Sequence, residues 1–163
     1  MNWIWQLSSE PTLPSEEGSF GAVRKYDIHT GVDLYCEVGT KVFAVEDGMV
    51  LSIENFTGQY AEPPTPWWND TKSVLIKGIS GVVVYGECSP SVSIGDFVLA
   101  GQEIAKITTS VLKKDKGKPT TMLHLELISH ESLESCEAWL QEKPKNLLDP
   151  TEFLIQAMNN DAK

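Results

Sequence analysis

The sequence predicts an all-β fold, a compact sandwich or barrel built of two related halves and followed by short C-terminal helices. Short β-branched stretches set off by glycines fill the chain from residue 41 to 128. Two of these stretches repeat one pattern, a glycine turn, a strand ending on alanine, and a second glycine leading into the next strand. Helix signals are confined to the region beyond His130.

Up to about Glu17, Pro11, Pro14 and several Ser and Glu predict an extended lead-in rather than a packed element. The domain boundaries that follow are a lead-in over 1–18, a β domain over 19–158 and a tail over 159–163. Strands are predicted at Lys41 to Val45, Met49 to Glu54, Ser73 to Lys77, Val82 to Tyr85, Phe97 to Leu99, Glu103 to Ile107 and Leu123 to Ile128. The repeat pairs Val38 to Val50 with Ile94 to Ala105, and biotinyl and lipoyl carriers share such a repeat. A carrier needs a lysine at the hairpin tip, where this chain has Glu46-Asp47-Gly48. Between Phe56 and Ser73 a long loop holds Pro63, Pro64, Pro66, Trp67 and Trp68, which suits either a substrate-facing wall or a lid over one end of the sheet. The basic run from Lys113 to Lys118 reads as a solvated loop. Helices are predicted at Leu133 to Gln141 and at Thr151 to Met158, the second capped by Asp149 or Thr151.

With 163 residues, 41% of them hydrophobic, the chain has material for a single core. Its net charge of -10 opposes binding to phosphate backbones or anionic lipid surfaces, so neither nucleic acid nor membrane is an expected partner. The N-terminus carries no signal-peptide pattern, which gives a cytoplasmic expectation, with lysis, a phage particle or a non-classical route as means of release. Cys36, Cys88 and Cys136 are odd in number and lack Cys-x-x-Cys spacing, so buried reduced thiols are expected.

His29 and Asp33 lie in His-Thr-Gly-Val-Asp, where Gly31 can relax the backbone so that both converge on one point. His124 can join them from an alternating strand, because Met122, His124 and Glu126 share one face while Leu123, Leu125 and Leu127 turn to the core. Two imidazoles and a carboxylate suit zinc and leave a fourth position open. By spacing alone, His-x-x-x-Asp is common and a strand histidine is more often simply hydrogen-bonded. Both readings stay open at that level.

From Phe20 to Leu154 the chain resembles a lysostaphin-type (LytM-type) zinc metallopeptidase domain. The likeness runs through Phe20-Gly21 with Arg24, His29-Thr30-Gly31-Val32-Asp33-Leu34, Gly39-Thr40 to Gly48, Val83-Val84-Tyr85-Gly86, Val92 to Gly95-Asp96, Val98 to Gln102, Leu123-His124-Leu125-Glu126 and Leu148-Asp149-Pro150. The resemblance implies an antiparallel β-sheet core with a central groove, one zinc on His29, Asp33 and His124, and cleavage of peptides such as peptidoglycan cross-bridges. It also implies histidines where this chain has Glu87 and Met122. Those histidines are expected to activate water and stabilise the oxyanion. Three roles for Glu87 follow: general base, fourth zinc ligand, or solvent-facing bystander. Tyr85 is a candidate oxyanion partner, Met122 packs beside the site, Trp67 and Trp68 are candidate substrate contacts, and His130 lies too far along to take part. The expected function is zinc-dependent hydrolysis of a peptide or peptidoglycan-derived peptide. The alternative is a domain that keeps zinc for shape and binds a peptide, glycan or protein partner without cleavage.

Overall fold

A computed structural model describes residues 3–10, 18–114, 117, 120–130 and 138–161. The strands are β1 (Val32–Tyr35), β2 (Lys41–Phe43), β3 (Gly48–Thr57), β4 (Thr71–Gly78), β5 (Val82–Pro90), β6 (Phe97–Val98), β7 (Glu103–Lys106), β8 (Met122–Ile128) and β9 (Leu147–Leu148), followed by α1 (Thr151–Asp161). All pairings are antiparallel, and the main sheet runs β1-β8-β5-β4-β3-β6. The fold is therefore all-β, as the glycine-punctuated pattern predicts, with one helix among the described residues rather than several.

Strand β5 belongs to two layers. Its first half pairs with β4 and β8, and its last residues, Ser89 and Pro90, pair with β7, which in turn pairs with β2. Between the two halves a β-bulge shifts the register, and Glu87 sits in it at φ 67, a left-handed conformation that a non-glycine residue seldom takes. The two repeats interlock across the layers. Gly39 donates to Ile107 at 2.7 Å and Gly95 donates to Val50 at 2.8 Å, so each glycine turn docks on the second strand of the other half.

The core lies between the layers, with Val42, Ala44, Ile104 and Ile107 facing Val83, Tyr85, Leu123, Leu125 and Leu127. The extended lead-in proves to be packed over residues 3–8. Ile4 donates to Val45, Phe43 donates to Gln6, and Ser8 donates to Lys41, which adds this segment to β2, while Trp3, Trp5 and Leu7 enter the core. Trp3 stacks on Phe153 of α1 at 4.7 Å, and Leu154 and Ala157 close the same side. The expected helix at Leu133 to Gln141 falls largely outside the described residues; where it is described, Trp139 instead forms a bridge with Ile28. Asp149 caps α1 by accepting the Thr151 amide at 2.9 Å. Cys36 and Cys88 are free, the first half-buried and the second buried, and Cys136 lies outside the described residues.

Candidate metal centre

Sheet register assembles the site. Asp33 of β1 stands opposite His124 of β8, and His124 stands opposite Gly86 of β5, so the three share one row across the sheet. The opposite face of the same strands carries Leu123, Leu125, Val83 and Tyr85 into the core. His29 arrives from the loop before β1. Its amide and carbonyl bond back to Ala22 and Gly21, and its Nδ1–H donates to the Ser19 carbonyl at 2.9 Å.

The remaining ring nitrogens and one carboxylate oxygen converge. His29 Nε2 lies 3.1 Å from Asp33 Oδ1, His124 Nδ1 lies 2.8 Å from the same oxygen, and the two nitrogens are 3.2 Å apart. Among the described residues these form the only group of three His, Cys, Asp or Glu donors whose ligand atoms all lie within 4.8 Å of one another. A tetrahedral zinc with bonds of about 2.0–2.1 Å needs donor separations of about 3.3 Å, close to this triangle. The outer atoms of each donor are occupied. Arg24 binds Asp33 Oδ2 at 3.0 Å, and His124 Nε2–H donates to Glu126 at 2.9 Å, while Glu126 also accepts from Thr30 at 2.6 Å. These contacts aim the free lone pairs of His29 Nε2, His124 Nδ1 and Asp33 Oδ1 at one point, so the residues present fit the metal.

The electrostatics match a site of concentrated charge. Burial works against the charge on Asp33, but hydrogen bonds and attraction from His124 and His29 outweigh it and hold the carboxyl well below the usual range. Burial also opposes a charged His124, yet bonds to Asp33 and Glu126 keep its pKa well above the ordinary value. Glu87 is pushed up to about 8, first by burial and then by the charge of Asp33, with His124 and Arg24 pulling partly back. Its Oε2 is buried without a hydrogen-bond partner. From the bulge at residue 87 the Glu87 carboxyl feels the charges of Asp33, His124 and Arg24, although Glu87 is not among the converging donors.

Gly31 serves by its size rather than by freedom of backbone rotation. A Cβ there would strike the Leu125 carbonyl and come within 3.0 Å of His124 Nε2 and Glu126 Cγ. Gly86 likewise makes room for Phe56, which lies against His124 with ring centroids 5.3 Å apart. Phe56 and Glu126 are contributors that sequence reasoning passed over. Glu126 shares the His124 face by alternation, so its place was signalled, whereas nothing local to Phe56 marks it.

Tyr85 does not join the site. It is 1% exposed on the core face, its hydroxyl accepts the Val45 amide at 3.0 Å, and burial holds its pKa high, so it is a packing residue rather than an oxyanion partner. Met122 opens β8 on the His124 face and is half-buried. His130 is exposed and bonds to the Gly78 carbonyl. The loop is shorter than its proline content suggests, spanning 58–70, because Thr57 and Thr71 pair through their hydroxyls and extend β3 and β4. Trp67 is 63% exposed and touches Trp68 edge-on at 6.3 Å, and Trp68 bridges to Leu112.

An antiparallel β fold with a His/Asp/His donor set at its centre defines a metallopeptidase-like domain. The chain belongs to peptidase family M23, whose sequence profile matches residues 27–135. Among solved structures it is similar to CbpA from L. salivarius REN, at 19% identity and a TM-score of 0.63, over 98% of each chain. It is also similar to lysostaphin, at 22% identity and a TM-score of 0.51, over 80% of this chain and 44% of that one. Csd3 of Helicobacter pylori matches at 17% identity and a TM-score of 0.50, over 99% of this chain and 39% of that one. The chain thus spans less than half the length of the latter two. No curated protein matches it.

Proposed function

We propose that this domain is a zinc-dependent peptide hydrolase of the lysostaphin type, with His29, Asp33 and His124 as metal ligands and Glu87 as general base. The observation that carries the reading is the convergence of three lone pairs whose outer atoms are all tied off by Ser19, Arg24 and Glu126. Zinc held there supplies Lewis acidity towards a scissile carbonyl and a water nucleophile. Asp33, fixed by Arg24, keeps one oxygen on the metal side. Glu87 takes the proton of the attacking water and returns it to the leaving amine. Burial and the charge of Asp33 push the Glu87 carboxyl up to about 8, which makes its ionised form a stronger base than an ordinary carboxylate. Met122 contributes dryness rather than proton transfer. Family membership favours a peptide substrate, peptidoglycan cross-bridges included.

The test uses metal content and turnover together. His29→Ala and His124→Ala are expected to lose the one equivalent of zinc bound by the unsubstituted chain, measured by elemental analysis; full zinc in either removes the ligand assignment. Glu87→Gln is expected to retain zinc and to lower the rate of peptide cleavage by about 10²–10⁴-fold. Met122, in a position where the resemblance implies a histidine, favours a second reading in which the domain binds zinc and a partner without cleavage. That reading is supported if the unsubstituted, zinc-loaded chain cleaves no glycine-rich peptide.

A further inference from the structure

The 58–70 loop spends its aromatic residues on the surface. Tyr60 is 67% exposed and Trp67 63% exposed, and exposed rings on one loop are the mark of a contact surface rather than of a core. The loop beneath them is anchored. Asp70 accepts the Gln59 amide at 3.0 Å, Asn69 donates its side-chain amide to the Ser110 carbonyl at 2.8 Å, and the Trp68 amide donates to Thr65 at 2.9 Å. The loop that carries the rings is therefore anchored before any ligand arrives, which lowers the ordering cost of binding.

Two clefts flank the loop and meet at Asp70. One of about 380 Å³ is lined by Asn55, Tyr60, Lys72 and Thr108 among others, and one of about 330 Å³ by Gln59, Trp68 and Lys113. Both sizes fall at the lower end of the roughly 300–1,000 Å³ of small-ligand sites. Three features select the ligand. The net charge of -10 disfavours a polyanion, and Asp70 stands between Lys72 and Lys113, which leaves the clefts near neutrality. Strand β4, at the floor, is paired on both sides, by β3 and β5, so an extended peptide finds no free edge to join. What the clefts do offer is flat aromatic faces beside amide, carboxylate, hydroxyl and ammonium groups. Such faces suit the C–H surface of a pyranose ring, and the polar groups suit its hydroxyls.

We propose that the 58–70 loop is a platform for an uncharged oligosaccharide, with Tyr60 and Trp68 stacking on sugar rings in the two clefts, Trp67 offering an exposed ring outside them edge-on to Trp68, and Asp70 bonding hydroxyls where the clefts meet. The platform requires neither zinc nor Glu87. The test titrates the full chain with a β-linked N-acetylglucosamine tetramer and with cellotetraose, following tryptophan emission and heat, once with chelator and once with zinc. Pentaglycine serves as the peptide probe. The expected result is saturable binding of at least one tetrasaccharide, equal in both conditions, and weakened at least tenfold by Trp67→Ala and by Tyr60→Ala at unchanged melting temperature. Absence of sugar binding, binding that survives both substitutions, or pentaglycine binding that the same substitutions abolish would overturn it. Because binding is read without metal, failure here leaves the hydrolase reading standing, and loss of hydrolysis leaves the platform standing.

Discussion

At the scale of single residues, the centre depends on contacts outside the three donors. Glu126 fixes the His124 tautomer, so Glu126→Gln keeps a hydrogen-bonding shape and removes the charge; zinc affinity is expected to fall about 10–100-fold, as read by competition with a chelating dye. His124 sits between two carboxylates, which raise its pKa well above the ordinary value and so favour a proton on the metal-free ring. Zinc must displace that proton, so calorimetry in buffers of different ionisation heat is expected to show proton release near pH 7, with affinity rising as pH rises. In the metal-free chain the sign of the stability effect differs between partners. The contribution of His124 is complete below its unfolded value of about 6.5 and is lost as pH rises through the raised folded value. That of Asp33 is complete above about 3.9 and is lost only as pH falls through its depressed folded value. Melting temperature in chelator is therefore expected to decline on the alkaline side, and zinc is expected to remove that decline. The donor types and their spacing were legible in His29-Thr30-Gly31-Val32-Asp33 and in the alternation around His124. The tautomers were not, because they rest on Ser19 and Glu126 through bonds that spacing does not encode. Tyr85 misled because a tyrosine beside a site residue in sequence points to the opposite face of its strand.

At the scale of elements, the long strands were legible and the short or remote ones were not. β3, β4, β5 and β8 announce themselves by β-branched runs, whereas β9 is two residues long and the extended segment at residues 3–8 is hidden by nearby proline and serine. Its pairing with β2 is decided by tertiary packing of Trp3, Trp5 and Leu7. The approach of residue 31 to β8 is another feature of this scale. Gly31→Ala would force a methyl group into Leu125, Glu126 and His124, and overpacking of this kind costs about 1–3 kcal/mol. Both a lower denaturation midpoint and weaker zinc binding are expected; a variant with native values in both would show that β1 can shift without disturbing the site.

At the scale of the whole molecule, the first described residues and the last helix close one side of the core together. Trp3 is 1% exposed, stacks on Phe153 and donates its indole N–H to Glu46 at 3.1 Å. Trp3→Ala is expected to cost about 3–5 kcal/mol, measured by urea unfolding, although the residue lies in neither repeat. The interlocked repeats carry a consequence for how the chain reaches this state. Because the turn at Gly39 docks on Ile107 and the turn at Gly95 docks on Val50, neither half possesses its own closing partner until both have been synthesised. Long loops must be drawn shut before those pairings return any energy, which places folding in the slow regime of roughly milliseconds to seconds typical of non-local β topologies. A nascent chain halted near residue 90 would leave β1, β2, β3 and β5 each short of a partner strand, and release of the second half would act as the trigger for a single cooperative collapse.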